Sequence, residues 1–385
     1  MAGPWSRRKA EEAAEADATL AVPDLAEEHR FPCAQCGANL RYSPGQTSMS
    51  CSYCGHEQEI PGACETARSA ALAPMDLRAT LAAPPPAAAM EETRVLNCTN
   101  CGAQVEFEPS VHAAECPFCG TPVVTDTGTH RHIKPQGVLP FNLTEDQARA
   151  AFASWLKSLW FAPNGLARYA RGDNRFAGIY TPYWSFDADT RSRYSGQRGT
   201  YYYTGTGKRR RRRIRWTNAS GRTSRRFDDL LVMAATSLPR RYVRALEPWT
   251  LSELQPYDQR FLSGFRAEGY TVALPDGWAI GRERMDEVIR TDVRRAIGGD
   301  TQRIHRIDTD TANERVKHLL LPLWVAAYRY RGKSYRFVVN AQTGRVRGER
   351  PWSWIKITLT ALAAALAIGA LIVLTEGEAV HIMDW

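Results

Sequence analysis

The sequence lacks the motifs that most hydrolases and nucleotide-dependent enzymes require. It contains no G-x-S-x-G nucleophile motif and no H-E-x-x-H zinc-protease motif. The segment 205–208 (GTGK) resembles the end of a phosphate-binding loop. The full motif, however, needs glycine where the chain has Tyr202, and serine or threonine where it has Arg209. We therefore predict that the protein is not an enzyme and has no ATPase or helicase activity.

Two further absences bear on location and on partners. Residues 1–30 have no apolar core of a secretory signal, so we expect the protein to be kept in a reducing compartment. Residues 96–124 contain no lysine or arginine, although the chain has a formal net charge of +9. Residues 1–130 carry eight basic and seventeen acidic side chains, whereas the remaining residues carry 42 and 24. Because nucleic-acid binding needs cations that neutralise phosphates, the acidic N-terminal part is better suited to docking proteins.

Eight of the nine cysteines form two copies of one spacing. Each copy reads C-x2-C, fourteen residues, C-x2-C, and the second copy follows the first by 65 residues. Zinc ribbons bind tetrahedral zinc with four thiolates at this kind of spacing, two from each tight turn. The pattern predicts two structural Zn²⁺ sites, with these ligands: Cys33, Cys36, Cys51, Cys54, Cys98, Cys101, Cys116 and Cys119.

Iron binding, a redox C-x-x-C and a disulfide framework are the alternative interpretations of the cysteines. A redox motif is typically single and lies near a βαβ unit, and disulfides need a secreted chain. Four cysteines fill a zinc shell and leave no position for a catalytic water, which favours a structural role. Cys64 lies outside both copies and is predicted to be a free thiol.

An uncharged stretch near the C-terminus predicts a transmembrane helix. Residues 357–374 contain no charged side chain. As a helix they would span roughly 27 Å, close to the ~30 Å hydrocarbon core of a bilayer. Trp352 and Trp354 precede them, and the arginines on that side place the large N-terminal portion in the cytoplasm under the positive-inside rule. A buried core helix is the alternative. A stripe of small residues would suit helix pairing in a homo-oligomer, although such a stripe also arises by chance in an alanine-rich segment: Ala361, Ala365 and Gly369.

A run of cations in the middle of the chain is its most basic segment. Seven of the eight residues from 208 to 215 are basic: Lys208, Arg209, Arg210, Arg211, Arg212, Arg213 and Arg215. Three interpretations remain open, namely a solvated loop between two strands, contact with an anionic membrane surface, and binding to RNA or DNA. In the last case the neighbouring residues Tyr201, Tyr202 and Tyr203 would suit stacking on bases.

The remaining pattern predicts an α+β body with a mostly antiparallel sheet. Thr144 and Gln147 form a capping box at the start of one helix, and a second amphipathic helix is predicted over 282–297. Aromatic-rich segments predict strands at 176–188, 193–204, 212–218, 225–233, 321–331 and 334–340. The predicted divisions are an acidic tail (1–30), zinc ribbons (31–60 and 94–125), an Ala/Pro-rich linker (61–93), the body (135–350), the transmembrane helix (355–375) and a short extracytoplasmic tail (376–385).

Several segments together resemble a bacterial family of zinc-ribbon membrane proteins. They are 140–141 (PF), 158–163 (SLWFAP), 180–187 (YTPYWSFD), 257–270 (YDQRFLSGFRAEGY), 297–300 (IGGD), 321–324 (LPLW) and 340–344 (NAQTG). Such proteins are labelled "primosomal protein N′ (replication factor Y) superfamily II helicase" or "transcription-factor-IIB-type zinc ribbon-containing protein". The resemblance covers about 95–375 and implies membrane association and a link to scaffold proteins of the SPFH or phage-shock type. The helicase label rests on the cysteine motifs, because the chain has no ATPase motif.

These observations predict a zinc-ribbon adaptor that is anchored at the inner membrane by a single span and docks protein partners at its cytoplasmic face. The alternative is a membrane-tethered nucleic-acid-binding protein that uses the arginine run.

Overall fold

The computed structural model describes twelve parts of the chain. They are residues 31–62, 64–83, 90–98, 100, 102–106, 113–118, 122–124, 128–164, 166, 176–205, 210–330 and 333–381. The predicted tail over 1–30 therefore lies outside the described residues.

The described residues form short elements in the N-terminal part and long ones in the body. The N-terminal elements are β1 (Leu40–Tyr42), β2 (Ser48–Cys51), β3 (Glu57–Glu59), α1 (Glu65–Ala71), β4 (Met75–Asp76), α2 (Leu77–Ala82), β5 (Met90–Asn97), β6 (Gln104–Glu106), β7 (Ala113–Glu115), β8 (Pro122–Val124) and β9 (Gly128–Ile133). The body contains β10 (Gly137–Val138), α3 (Glu145–Ser158), β11 (Ala177–Thr204), β12 (Arg211–Met233), α4 (Arg240–Leu246), β13 (Gln255–Pro256), β14 (Arg266–Ala267), α5 (Leu274–Ile297), β15 (Thr301–Tyr330), β16 (Lys333–Asn340), β17 (Val346–Gly348) and α6 (Trp354–His381).

A predominantly antiparallel sheet built on three long strands organises the body. Its main order is β12-β11-β15-β10-β13, with β12 at one edge. The predicted segments 176–188 and 193–204 join into the single strand β11, which pairs with β12 on one side and β15 on the other. Register shifts near Asp187 interrupt both ladders, and such bulges let long strands bend.

Both faces of the central sheet are buried around residues 179–186 of β11. Along β11, Ile179 and Tyr183 pack into one core, whereas Trp184 and Phe186 point to the opposite face and pack against α5. This alternation follows from the period of two along a strand. A strand that is covered on both faces accumulates apolar and aromatic residues without a polar face, as 179–186 does.

The two predicted body helices are present, with one difference in length. α3 begins at the predicted capping box, where the backbone N–H of Gln147 donates to Thr144 Oγ1 at 3.3 Å. α5 begins at Leu274, eight residues before the predicted start. Its first turns contain Gly277 and Gly281, which weaken a helix signal but here allow close packing against the aromatic residues of β11.

The predicted transmembrane helix is wrong, and the predicted fold class is wrong in this respect. α6 forms one helix over Trp354–His381, but across the described parts of the chain no helix combines the length and the apolar character needed to cross a membrane. A span needs about 20 predominantly apolar residues. The prediction rested on eighteen, many of them alanines, whose side chains supply little apolar surface. The predicted single-pass inner-membrane localisation and extracytoplasmic tail depended on this helix and are wrong for the same reason.

The alternative of a buried core helix does not hold for the described part of α6 either. Leu359, Leu362 and Leu366 are exposed on it. Gly369, in the predicted helix-pairing stripe, has no atom of another segment within 4 Å of a Cβ added there. The stripe therefore makes no contact within this chain at that position.

Candidate metal centre

The four cysteines of the first copy converge on one point. The Sγ atoms of Cys33 and Cys54 are 3.6 Å apart, and those of Cys36 and Cys51 are 3.5 Å apart. All four Sγ atoms lie within 4.8 Å of one another. A tetrahedron with metal–sulfur bonds of about 2.3 Å has sulfur–sulfur edges of about 3.8 Å. The cluster can therefore hold a tetrahedral metal ion.

Two tight turns with the same hydrogen bonds hold the cysteines in place. In the first turn the Cys33 N–H donates to the carbonyl of Ala38 at 2.7 Å, and the Gly37 N–H donates to the carbonyl of Cys33 at 2.9 Å. The turn at Cys51 repeats both bonds, at 2.8 and 3.0 Å. Gly37 and Gly55 have φ angles of 75° and 72°, which glycine adopts without steric cost. The glycine that follows each second cysteine is thus required by the turn.

The thiols of this cluster have strongly divided acidities. Backbone N–H groups of Cys54 and Tyr53 donate to the Cys51 sulfur and lower the pKa of Cys51 to about 6. The His56 N–H favours the Cys54 thiolate, but burial and the neighbouring thiols outweigh it and raise the pKa of Cys54 to about 12. Four adjacent thiolates repel one another, and a divalent cation would remove this repulsion and displace the protons. The donor set is chemically suited to zinc.

The first ribbon is packed against the body. The Tyr42 ring contacts the rings of Phe261 and Phe265, with centroid distances of 5.3 and 6.2 Å. The Tyr42 N–H donates to the carbonyl of Ser263, whose hydroxyl donates to the carbonyl of Leu40. Six ribbon residues belong to one core cluster with the body: Cys33, Leu40, Tyr42, Met49, Cys51 and Ile60.

The outer side of the same ribbon faces solvent. Tyr53, in the turn between Cys51 and Cys54, is 88% exposed. Cys36 and Cys54 are also exposed, whereas Cys33 and Cys51 are buried. The cysteine cluster therefore lies between the body core and the exposed side chain of Tyr53.

The second cysteine copy is only partly described. Cys98 and Cys116 are buried, and Cys101 and Cys119 lie outside the described residues. The turn at Cys98 shows the same hydrogen bonds as the first copy. The Cys98 N–H donates to the carbonyl of Ala103, and the Gly102 N–H donates to the carbonyl of Cys98, both at 2.8 Å. A second metal site remains a prediction.

Two charged residues that sequence reasoning did not select lie beside the second ribbon. Glu268 forms a β-bridge with Val105 and is only 2% exposed. Burial raises the pKa of its carboxyl well above the usual range, which the Ser237 hydroxyl opposes and Cys116 reinforces. Burial also lowers the pKa of Arg266, while Cys116 acts in the opposite direction. Both residues fall in the segment 257–270 that carries the family resemblance.

The arginine run lies far from the cysteines in the chain and forms part of the β11–β12 hairpin. Lys208 and Arg209 are outside the described residues. Arg210 precedes β12, and the run from Arg211 to Arg215 lies in this strand. Arginines of the run stack on the tyrosines of β11. The composition suggests such pairs, but which arginine meets which tyrosine depends on the register of the two strands.

A comparison with known proteins finds a relative in Bacillus subtilis. No family model matches this chain. No solved structure matches it. The relative is "Uncharacterized protein YdjG" of Bacillus subtilis (strain 168), and the match covers 59% of this chain and 66% of that protein, slightly less than two thirds. Over 235 residues, the chain is similar to that protein at 25% identity.

Proposed function

We propose that the protein is a zinc-ribbon adaptor that binds other proteins through its first ribbon. The observation that carries the proposal is the position of the four-cysteine cluster between the body core and the exposed side chain of Tyr53. In this arrangement the metal is zinc and serves to hold a recognition surface in a fixed conformation.

The donor set supports a structural role for this zinc. Four thiolates complete a tetrahedral shell, whereas catalytic zinc keeps one position for water or substrate. Cys33, Cys36, Cys51 and Cys54 supply all four sulfur atoms from two turns. The ion would stabilise the turns, and recognition would fall to the side chains that project from them.

Tyr53 supports the choice of a protein as partner. Tyrosine is enriched at interface hot spots because it offers apolar area and one polar group at a low entropy cost. The surrounding ribbon has few cations, with Arg41 as its one basic residue between 31 and 60. Its complement is an apolar pocket with a basic rim on another protein. The resemblance described above makes scaffold proteins of the SPFH or phage-shock type the first partners to test.

Site-specific photocrosslinking in cells tests this proposal. A photoreactive phenylalanine analogue replaces Tyr53 in the full-length chain, and in a matched control it replaces Glu283, an exposed residue of α5. We expect a discrete crosslinked protein at position 53 that is absent at position 283. It should also disappear when Cys36 is changed to serine. Equal crosslinking at both positions, or a product that persists without Cys36, would refute the adaptor proposal.

A further inference from the structure

We propose that the tip of the β11–β12 hairpin binds single-stranded nucleic acid. The surface comprises residues 198–204 and 210–216 together with Arg303, and is called the hairpin tip below. It is separate from the zinc ribbon and adds a second binding activity to the proposed adaptor.

The hairpin tip extends beyond the sheet that supports it. β15 begins at Thr301, which pairs with Gly199 of β11. Beyond this point Thr200–Thr204 pair only with Arg211–Arg215 in the described structure. A two-stranded ribbon results, and all of its residues from 200 to 204 and from 211 to 215 are exposed except the half-buried Tyr201. Both faces are therefore open to a ligand.

Arginine–aromatic pairs line one face of this ribbon. Paired residues of antiparallel strands share a face, so Tyr201, Tyr203 and Trp216 lie together. The guanidinium of Arg212 lies 4.4 Å from the Tyr201 ring centroid, that of Arg210 lies 4.0 Å from Tyr203, and that of Arg303 lies 4.0 Å from Trp216. The opposite face carries one such pair, Arg215 on Tyr202 at 5.5 Å.

The arginines of the hairpin tip have no acidic partners in the described structure. The described residues from 196 to 218 include six arginines and no aspartate or glutamate. None of these six takes part in an ion pair among the described residues. Elsewhere in the body, arginines such as Arg225, Arg260 and Arg284 are paired with carboxylates. This unpaired positive charge indicates that the hairpin tip binds a polyanion.

The combination of planar stacking groups and positive charges favours single-stranded nucleic acid over other polyanions. Guanidinium planes and aromatic rings both stack on unpaired bases, while the remaining N–H groups reach phosphates. Tyr202 and Tyr203 keep 38% and 55% of their surfaces exposed, so rings as well as cations are accessible. In a duplex the faces of the bases are stacked and inaccessible, and a lipid headgroup surface would interact only with the positive charges. A single strand uses both features.

Fluorescence anisotropy with the full-length protein tests the proposal. The probe is a fluorescein-labelled oligo(dA) of roughly 16 nucleotides, about the largest site of one single-strand-binding module. The triple variant R210Q/R212Q/R215Q removes three stacked guanidiniums. The matched control R282Q/R290Q/R294Q removes the same charge from exposed positions of α5. We expect the hairpin variant to bind at least roughly tenfold more weakly and the control to change affinity by less than about threefold.

Salt dependence and a charge-preserving variant separate stacking from simple attraction. Removing three phosphate contacts should reduce the slope of log K against log salt by about 2 between ~50 and 200 mM. R210K/R212K/R215K keeps the charge but removes the planar guanidinium groups that stack. We expect its affinity for the single strand to be at least roughly fivefold lower. Circular dichroism verifies folding, and the lysine variant decides the question if the glutamine variant does not fold.

Several results would overturn the inference. They are the absence of binding at low salt, an equal loss in the α5 control, and a lysine variant that binds like the original chain. Equal affinity for a duplex of the same length would also overturn it. Displacement of the probe by phosphatidylserine vesicles at equal phosphate concentration would indicate a membrane-surface site instead.

Discussion

Cys36 is the residue on which the metal assignment can be tested most directly. It contributes one of four sulfur atoms and lies on the exposed side of the cluster, so its replacement creates no core cavity. We expect Cys36→Ser to lose one bound zinc per chain, measured by elemental analysis, and to lower the melting temperature. Cys64→Ser is the control, because Cys64 is exposed and outside both cysteine copies. Unchanged metal content in the Cys36 variant would contradict the assignment.

An ion pair between α5 and β12 gives a pH-dependent prediction. Arg225 Nε and Nη2 donate to the Asp292 carboxylate, at 2.5 and 2.8 Å, and Arg225 holds the pKa of Asp292 below its usual range. A lowered folded-state pKa stabilises the fold above the unfolded value of about 3.9, and this stabilisation disappears as the pH falls through the folded value.

We therefore expect Asp292→Asn to destabilise the protein near neutral pH and to have a smaller effect at about pH 3. The pair reaches solvent, so the loss near neutral pH should not exceed about 1 kcal/mol. Urea unfolding at both pH values measures it. Asp286→Asn, at an exposed position of the same helix, should have no such pH-dependent effect. A loss that is equal at both pH values would show that the ion pair is not its cause.

At the scale of elements, α5 depends on a close approach to the sheet. A Cβ at position 277 would lie 2.5 Å from Cδ1 of Trp184. The Trp184 ring is fully buried, and its Nε1–H donates to the carbonyl of Val272. Alanine has the better helix propensity by about 1 kcal/mol, but overpacking a rigid core costs about 1–3 kcal/mol. We expect Gly277→Ala to lower the free energy of unfolding by up to about 2 kcal/mol in urea titrations.

Thr291→Ala is the matched control for that change. Thr291 is an exposed residue of α5, and alanine there gains helix propensity without meeting the sheet. It should be neutral or slightly stabilising. A stabilised Gly277 variant would mean that Trp184 can move aside.

The same elements show what the sequence could predict and why. α3 carries its start signal in Thr144 and Gln147, which act locally, and it was predicted at its first residue. The start of α5 was missed because its glycines serve a contact with a strand about 93 positions earlier in the chain. The first 20 residues of β15 were missed because they are largely polar, and only pairing with β11 makes them a strand.

The candidate sites also have features that the sequence predicts and features that depend on distant packing. Spacing alone predicted which sulfur atoms of the first copy meet, because each turn is local and the glycines after the cysteines fix its backbone. Packing of Tyr42 on Phe261 was not predictable, since it joins segments more than 200 residues apart. The arginine run was visible in the composition, but its stacking depends on the register of β11 against β12.

At the scale of the whole molecule, the first metal site and the body share one apolar core. Cys33 and Cys51 belong to the same cluster as Phe141, Phe152 and Trp324. Removal of zinc should therefore destabilise the body and not only the ribbon. We expect a zinc chelator to lower the melting temperature followed by tryptophan fluorescence, and Cys36→Ser to reduce this response. A body transition that is insensitive to chelation would show that the ribbon folds independently.

The seating of Tyr42 between aromatic rings of the body also limits how the protein can be dissected. The alanine- and proline-rich stretch after the first ribbon looks like a natural place to cut. A fragment starting beyond it would leave Phe261, Phe265 and Phe141 without their cover. Such truncated products should self-associate through the uncovered rings. Gene fusions, deletions and expression trials that respect the apparent linker would thus cut through a core that the amino-terminal residues complete.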